Sequence, residues 1–373
     1  MSSIRQPQIG LDVRLTYYTG GGIARYIRHL ANELPALEPA YAFAHFYRRG
    51  QTQTFSNLAR RVDCWTPAHH RLERLALSAE ISPYRLRLLH SPDFIPPAFG
   101  YAQSLITVHD LTFLRYPQFL TSDSRRYYNG QIRWAVARAA AISADSEATR
   151  ADLVNLVGVA PEKIAVIYLG LEPAYTVVAS PDDSAILRRL GLAPGYLLFV
   201  GTFEPRKNIE GLLAAYALLR QRAPDAPPLV LVGRRGWLFE SSLSRLRELG
   251  LEPYVSLLVE QAEADLPAIY RGAGLFALLS HYEGFGITLL EAMGSGIPAV
   301  ISNRASLPEI AGEAALVVTP DDAEGAADAL YRGLTDTSLR TTLIQRGLER
   351  AALFTWDRTA RATLALYRTL LER

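Results

Sequence analysis

Two glutamates, Glu283 and Glu291, stand eight positions apart around a turn that contains glycine. The run before them has the composition of a buried parallel strand, and residues 287–293 have that of a buried helix. Gly284 and Gly286 therefore lie where a strand passes into a helix, a turn that presents backbone N–H groups to a ligand. One carboxylate could bind sugar hydroxyls and the other a ribose diol, with a diphosphate between them. The alternative is an ordinary helix start with a surface glutamate.

A basic pair, Arg206 and Lys207, follows the apolar run Tyr196 to Val200. Ligands of parallel α/β sheets bind at the carboxyl ends of strands, so the pair is a candidate phosphate site. A guanidinium holds phosphate oxygens in a bidentate fork, and an ammonium adds a compact charge. The alternative is two solvated bases in a loop. Gly233 ends the next apolar run, Leu229 to Val232, and is counted with the candidate binding positions.

Three successive glycines, Gly20, Gly21 and Gly22, separate a predicted strand, Gln8 to Val13, from a predicted helix. Their N–H groups could meet a phosphate at the helix start, or the loop could be a plain flexible turn. A dinucleotide fingerprint does not fit, because its third glycine would fall at Arg25 and no acid stands where a ribose is bound. Nicotinamide cofactor binding is therefore not favoured.

A histidine and an aspartate, His109 and Asp110, end the predicted strand Ser104 to Val108 at the ligand-facing edge. A lone histidine in such a place is usually structural and bonds a backbone carbonyl. Asp110 either orients the ring or caps the turn, and the sequence leaves both roles open.

Apolar runs alternate with helical periodicity along the chain, which indicates an α/β fold with parallel sheets. Helices are predicted at 124–139, from Ser146 towards Val157, and at Trp356 to Leu370. The proline-bearing segment 170–194 has no steady period and is predicted to link two domains. Besides those named above, strands are predicted at Tyr41 to Tyr47, Arg87 to His90, Ala140 to Ala144, Ala165 to Tyr168, Tyr254 to Leu258, Leu275 to Leu279, Ala299 to Ile301 and Ala315 to Val318.

Length and composition suit two soluble domains. The chain has 373 residues, and its 39 basic and 37 acidic side chains give a net charge of +2, which does not favour nucleic-acid binding. Cys64 is the only cysteine, so an intramolecular disulfide is excluded and a reducing cytoplasm is expected. No Asp-x-Asp or His-x-x-x-His pattern occurs, which predicts chemistry without a metal. Residues 1–10 lack an apolar signal core, and no window is apolar enough to span a membrane.

The stretch from Arg60 to Arg87 combines six arginines with apolar neighbours such as Leu72 and Leu75. It could lie on an anionic membrane surface beside a lipid-linked acceptor. A solvated helix face explains the same pattern and is favoured. The protein is thus expected in the cytoplasm, with peripheral contact at the inner face of the membrane left open.

Two segments carry a family resemblance. Residues 280–291 resemble the paired-glutamate signature of retaining GT-B glycosyltransferases of family four, and residues 199–208 resemble the segment that brings an Arg-Lys pair onto the donor diphosphate. The resemblance implies a GT-B fold, α/β with two facing Rossmann-like domains and the site in the cleft between them. Residues 1–172 would bind the acceptor and residues 173–355 the donor, with a final helix in 356–373 returning to the first domain.

The resemblance also implies a role for each candidate. Glu283 would contact the donor sugar and Glu291 the nucleoside ribose, while Arg206 and Lys207 would contact the diphosphate. His109 would lie near the reaction centre, where a neutral imidazole can position a sugar hydroxyl. The remaining donor-binding positions are Gly21, Gly22, Gly233, Gly284, Phe285, Gly286 and Ile287.

The implied reaction is a metal-independent hexosyl transfer in polysaccharide biosynthesis, with retention at the anomeric carbon. Residues 204–208 resemble the bacterial mannosyltransferase branch, which favours GDP-mannose over a UDP-sugar as donor and a saccharide or lipid-linked saccharide as acceptor. His281 and the pair Glu260-Gln261 depart from the family pattern. A sugar-nucleotide epimerase of the same fold, a catalytically silent binding scaffold and a nicotinamide oxidoreductase are the alternatives.

Overall fold

The computed structural model describes residues 8–18, 20–119, 122–236 and 239–372. The chain divides into two compact units, Met1–Gly170 with Trp356–Arg373, and Leu171–Thr355. Residues 1–7, part of the stretch that lacks a signal core, lie outside the described residues.

The described part of the first unit is a parallel sheet with helices. Its strands are β1 (Ile9–Asp12), β2 (Phe43–Arg48), β3 (Ala59–Cys64), β4 (Leu86–Ser91), β5 (Tyr101–Val108), β6 (Ala141–Ala144) and β7 (Ile164–Val166). Their order in the sheet is β3-β2-β1-β4-β5-β6-β7, so the direction of winding reverses between β1 and β4. Its helices are α1 (Gly22–Leu37), α2 (Glu73–Ile81), α3 (Thr112–Arg115), α4 (Ser122–Arg138), α5 (Glu147–Asp152) and the last helix of the chain, α14 (Trp356–Leu371).

The second unit repeats this plan. Its strands are β8 (Tyr196–Val200), β9 (Leu229–Gly233), β10 (Val255–Val259), β11 (Ala273–Leu278), β12 (Ala299–Ser302) and β13 (Ala315–Val318). The sheet is parallel in the order β10-β9-β8-β11-β12-β13, and its winding reverses between β8 and β11. Its helices are α6 (Asp183–Arg189), α7 (Ile209–Arg222), α8 (Phe239–Glu248), α9 (Leu266–Gly272), α10 (Ile287–Gly294), α11 (Leu307–Ala311), α12 (Ala323–Thr335) and α13 (Thr337–Ala351).

The helix α14 packs its predicted apolar face into the first unit. Ala360, Leu364 and Tyr367 are all buried, which confirms the face read from their spacing. The Tyr367 hydroxyl lies 2.7 Å from Nδ1 of His90 at the end of β4, and His90 Nε2 lies 2.8 Å from the hydroxyl of Thr107 in β5. Apolar burial and a buried polar chain therefore hold the helix against two strands of the sheet.

The prediction of a linker at 170–194 is wrong for most of that segment. Leu171 onwards belongs to the second unit, and α6 lies within the segment. The Asp183 carboxylate accepts two hydrogen bonds from Arg271, both of 2.7 Å, which fixes α6 against α9. A helix of seven residues is too short for its apolar period to stand out in sequence.

The basic stretch 60–87 is not a single helix face, which corrects that interpretation. It contains most of β3, then α2, then the start of β4. The strand β3 was missed because it lies at the sheet edge, where charged side chains replace an apolar run. Leu72 and Leu75 are each 62% exposed, and membrane contact there stays a prediction. In the described parts of the chain, no helix combines the length and apolar character that crossing a membrane requires.

A buried histidine in β2 should make the fold sensitive to acid. His45 is 1% exposed, and neither ring nitrogen has a hydrogen-bond partner among the described residues. Burial lowers the pKa of His45 to about 4, whereas in the unfolded chain its pKa is about 6.5. The neutral ring is compatible with the folded state, so the full stability of the fold is present above about pH 6.5. Stability is lost as pH falls from about 6.5 towards 4, because the unfolded chain then binds a proton that the buried ring does not. From pH 7 to 5 this residue should lower the free energy of unfolding by about 2 kcal/mol. Urea unfolding at both pH values should show a smaller loss in His45→Phe, and equal losses in the two proteins would contradict this account.

Candidate active site

Two loops at the carboxyl end of the second sheet are joined directly to each other. One follows β8 and holds Arg206, and the other follows β11 and holds His281. The backbone N–H of His281 donates to the carbonyl oxygen of Arg206 over 2.8 Å. Asn208 Nδ2 donates to the carbonyl oxygens of Leu279 (3.1 Å) and Pro320 (2.9 Å). Since the winding reverses between β8 and β11, the loops meet where open α/β sheets bind ligands.

Four charged side chains, here called the charged quartet, fill this meeting point: Glu204, Arg206, Lys207 and Glu283. Lys207 Nζ donates to both carboxylate oxygens of Glu283, over 2.7 and 3.0 Å. Arg206 donates to Glu283 over 2.8 Å and to Glu204 over 2.5 and 3.1 Å. Two positive and two negative side chains give the charged quartet a formal charge of zero. The structure thus brings the predicted sugar contact and the predicted diphosphate contacts together.

The cations keep the carboxylate of Glu283 ionised although it is buried. Burial alone would raise its pKa, but Lys207 and Arg206, together with a 2.7 Å hydrogen bond from the Ser280 hydroxyl, lower the pKa of Glu283 to about 2. The side chain is therefore a hydrogen-bond acceptor at any physiological pH and has no proton to give. This suits a residue that holds sugar hydroxyls rather than a general acid.

The glycine turn after Glu283 begins helix α10 as predicted. Gly286 has φ +94°, and a Cβ there would lie 2.7 Å from the side chain of Leu307, so only glycine fits without strain. Ile287 is the first residue of α10, and Phe285 is buried with its ring 5.9 Å from that of Phe354. The backbone of Gly284 is likewise buried in the turn.

The second glutamate, Glu291, is 1% exposed on α10 and accepts a 2.9 Å hydrogen bond from the hydroxyl of Tyr270. Because Glu283 is also buried, the alternative of a surface glutamate is wrong at both positions. A contact of Glu291 with a ribose stays a prediction.

Close packing of two strands explains why residue 233 is a glycine, and this was not evident from the sequence. A Cβ on this residue would lie 1.8 Å from the carbonyl oxygen of Gly201, so glycine lets the ends of β8 and β9 approach each other. The position shapes the edge of the site, and its contact with a donor stays a prediction.

The glycine loop of the first unit leads into α1. Gly21 is the N-cap and Gly22 the first residue of this helix, and a Cβ on Gly22 would meet nothing within 4 Å. A short 3₁₀ helix, Arg14–Tyr17, precedes the loop, and Thr19 lies outside the described residues. Binding of a phosphate at the start of this 16-residue helix stays a prediction.

His109 ends β5 as predicted, but its ring is engaged on both sides. Nδ1 lies 2.7 Å from the Asp145 carboxylate, and Nε2 lies 2.8 Å from the carbonyl oxygen of Pro92. Both partners are acceptors, so both ring nitrogens donate and the ring is an imidazolium. Burial would lower the pKa of His109, but Asp145 and the Pro92 carbonyl together raise it to about 9. The expectation of a neutral imidazole that positions a sugar hydroxyl is therefore wrong for this conformation.

The roles of the neighbouring aspartates are also settled. Asp110 Oδ1 accepts a 2.9 Å hydrogen bond from the backbone N–H of Thr112, so it caps the turn and does not orient His109. That task falls to Asp145, the residue before the N-cap of α5. Ser146 is the N-cap, and its hydroxyl accepts a hydrogen bond from Thr149 N. The available signal was that Asp145 directly follows β6, the strand beside β5.

Glu204 is the one member of the charged quartet that the sequence did not single out. It lies two residues before Arg206 in the segment that carries the resemblance, and it is 9% exposed.

Among the described residues, no group of three or more His, Cys, Asp or Glu side chains is arranged to hold a metal ion.

The architecture is that of a GT-B glycosyltransferase. A sucrose-phosphate synthase from Thermosynechococcus elongatus superposes with a TM-score of 0.79 at 24% identity, over 99% of this chain and 100% of that chain. At this level of identity, the likeness shows the fold alone.

Family models and relatives identify the family. The model "Glycosyltransferase Family 4" matches residues 20–175, and "Glycosyl transferases group 1" matches residues 188–350. An O-antigen chain mannosyltransferase B of Escherichia coli is 33% identical over 83% of this chain and 80% of its own length. A D-inositol 3-phosphate glycosyltransferase of Salinispora arenicola is 34% identical over 62% of this chain and 55% of its own length. The chain belongs to the family-four, group 1 glycosyltransferases and is a transferase, as predicted, and the comparisons support neither an epimerase nor an oxidoreductase.

Proposed function

We propose that the protein transfers a mannosyl residue from GDP-mannose to a hydroxyl of a free or lipid-linked saccharide, with retention and without a divalent metal. The observation that carries the proposal is the buried, ionised Glu283 held by Arg206 and Lys207 where the winding of the second sheet reverses. The mannosyl donor is favoured by the likeness to an O-antigen chain mannosyltransferase.

The proposed reaction breaks the bond between the anomeric carbon and the β-phosphate oxygen, and the electron pair leaves with GDP. The acceptor hydroxyl forms the new bond on the same face, and its proton passes to the departing diphosphate. Charge then builds up on the diphosphate and on the anomeric carbon. Arg206 and Lys207 stabilise the first of these charges, and Glu283 holds hydroxyls of the transferred sugar.

The charged quartet implies an exchange of partners when the donor binds. Lys207 donates to Glu283, and Arg206 donates to both Glu283 and Glu204. Sugar hydroxyls that donate to Glu283 compete with these contacts and leave donors of Arg206 and Lys207 for phosphate oxygens. The backbone N–H groups at the start of α10 and the carboxylate of Glu291 would complete the diphosphate and ribose contacts.

The donor is tested by thermal melting with GDP-mannose, UDP-glucose, GDP and UDP, because a ligand that binds only the folded state raises the melting temperature. We expect GDP-mannose to give the largest shift. NMR of the product formed on a mannoside acceptor should show an α-anomeric linkage, the configuration of the donor. A larger shift with UDP-glucose would overturn the donor, and a β-linked product would overturn retention.

Metal independence is tested by adding EDTA to the transfer assay. With two cationic side chains at the diphosphate, we expect the rate to stay within about two-fold of the untreated enzyme. A large loss that Mg²⁺ or Mn²⁺ restores would show that the reaction needs a divalent ion.

A further inference from the structure

The first unit has its own buried charge cluster where its sheet reverses, between β1 and β4. Arg14 is 1% exposed and donates to the carboxylates of Asp12 (2.6 Å) and Glu73 (2.5 Å) and to the carbonyl oxygen of Thr66 (2.9 Å). The guanidinium is thus already engaged by two carboxylates and a carbonyl. An anion that entered here would meet negative side chains and a cation that is already paired.

A strained histidine closes the cluster. His69 has φ +60°, a left-handed conformation that is unusual for any residue but glycine. Its backbone N–H donates to Glu73 over 2.8 Å, and its Nε2 lies 2.7 Å from the Asp93 carboxylate. Residues held in such conformations by contacts on several sides are concentrated at functional sites.

The cluster lines a small cavity that contains an unpaired hydroxyl. The cavity is partly open to the surface and has a volume of about 20 Å³, which is room for one group of the size of water. Ser91 lines it at the end of β4, is 2% exposed, and its Oγ has no hydrogen-bond partner among the described residues. Buried hydroxyls are normally paired, so a hydrogen-bonding group that entered the cavity would satisfy Ser91. Pro92 also lines the cavity, and its carbonyl binds His109, which places the cavity beside the predicted reaction centre.

We propose that this cavity is an acceptor subsite that takes one hydroxyl of an uncharged sugar ring and rejects phosphorylated sugars. The hydroxyl accepts a hydrogen bond from Ser91 and donates one to a carboxylate of the lining. A phosphate is larger than this space, and its charge would face the carboxylates of Asp12 and Asp93. The inference rests on the proposed transferase function and adds the chemical class of the acceptor.

Saturation-transfer NMR on the full chain with GDP present tests the subsite directly. The probes are methyl α-D-mannopyranoside and mannose 6-phosphate. We expect the neutral glycoside to bind at least about ten-fold more tightly than the phosphate. Ser91→Ala should weaken the glycoside by about five- to ten-fold through the lost hydrogen bond while GDP affinity stays unchanged.

The matched control is Ser104→Ala, an equally buried serine on β5 that does not line the cavity, and it should leave glycoside affinity unchanged. Equal affinity for the two sugars, or no measurable binding of the glycoside, would overturn the subsite. The same holds if Ser91→Ala binds the glycoside like the wild type, because the cavity then holds only water. Failure of GDP to bind would count against the proposed function. The comparison of the two sugars tests only the proposed subsite in the cavity.

Discussion

Replacing Glu283 with glutamine should lower kcat/KM for sugar transfer by about one to two orders of magnitude. Glutamine keeps the shape of the side chain but removes the charge that pairs with Lys207 and Arg206 and that, in the proposed reaction, holds sugar hydroxyls. A charge-assisted hydrogen bond contributes about 1.5–3 kcal/mol, and 1.4 kcal/mol is ten-fold in rate. Steady-state kinetics with the donor identified by thermal melting measure the effect.

The matched control is Glu204→Gln. Glu204 belongs to the same charged quartet. Of the two cations in the quartet, it pairs with Arg206 and not with Lys207. We expect a loss of about ten-fold or less, since the contacts of Glu283 remain. Equal losses in the two variants would show that the charge balance of the quartet matters and that Glu283 has no separate role at the sugar.

The second large effect concerns the stability of the first unit at alkaline pH. The folded pKa of His109, about 9, lies above its unfolded value of about 6.5. The pair with Asp145 therefore stabilises the fold fully below pH 6.5, and this contribution is lost as pH rises through 9. Between pH 7 and 10 this residue should lower the free energy of unfolding by about 2.5 kcal/mol.

Asp145→Asn should remove most of this dependence, because burial lowers the pKa of His109 and only the smaller effects of the Pro92 carbonyl and the Asp93 carboxylate then oppose it. Asp110→Asn is the control, since Asp110 adjoins His109 in sequence but caps the turn at Thr112. Chemical unfolding at the two pH values gives the energies, and NMR of the imidazole carbons gives the pKa. Titration of His109 near pH 6.5 in the wild type would contradict the imidazolium assignment.

Features with a strong local signal were predicted well from sequence. The strand Tyr196–Val200 has its predicted bounds because all five residues are buried in one apolar run. The turn at Gly286 was equally clear, since a glycine directly before an apolar helix usually marks a turn. The edge strand β3 and the short helix α6 were missed because one is charged and the other spans less than the window that periodicity needs.

Partnerships over long sequence separations could not be predicted. Sequence placed His109 at a strand end, but its protonation depends on Asp145 and Pro92, which other strands bring to the ring. The same holds for the contact of Lys207 with Glu283, which depends on β8 lying beside β11. Side-chain types and strand ends are local properties, whereas a shifted pKa belongs to a set of neighbours.

The direct contacts of Arg206 and Lys207 with Glu283 also limit which substitutions the chain can accept during evolution. Loss of Glu283 leaves Lys207 as a buried charge without its partner in the charged quartet, which costs about 3–5 kcal/mol. This is a large part of the stability of an ordinary domain. A single substitution of Glu283 should therefore be selected against, and lineages that alter it should alter Lys207 with it, although the two residues lie 76 positions apart.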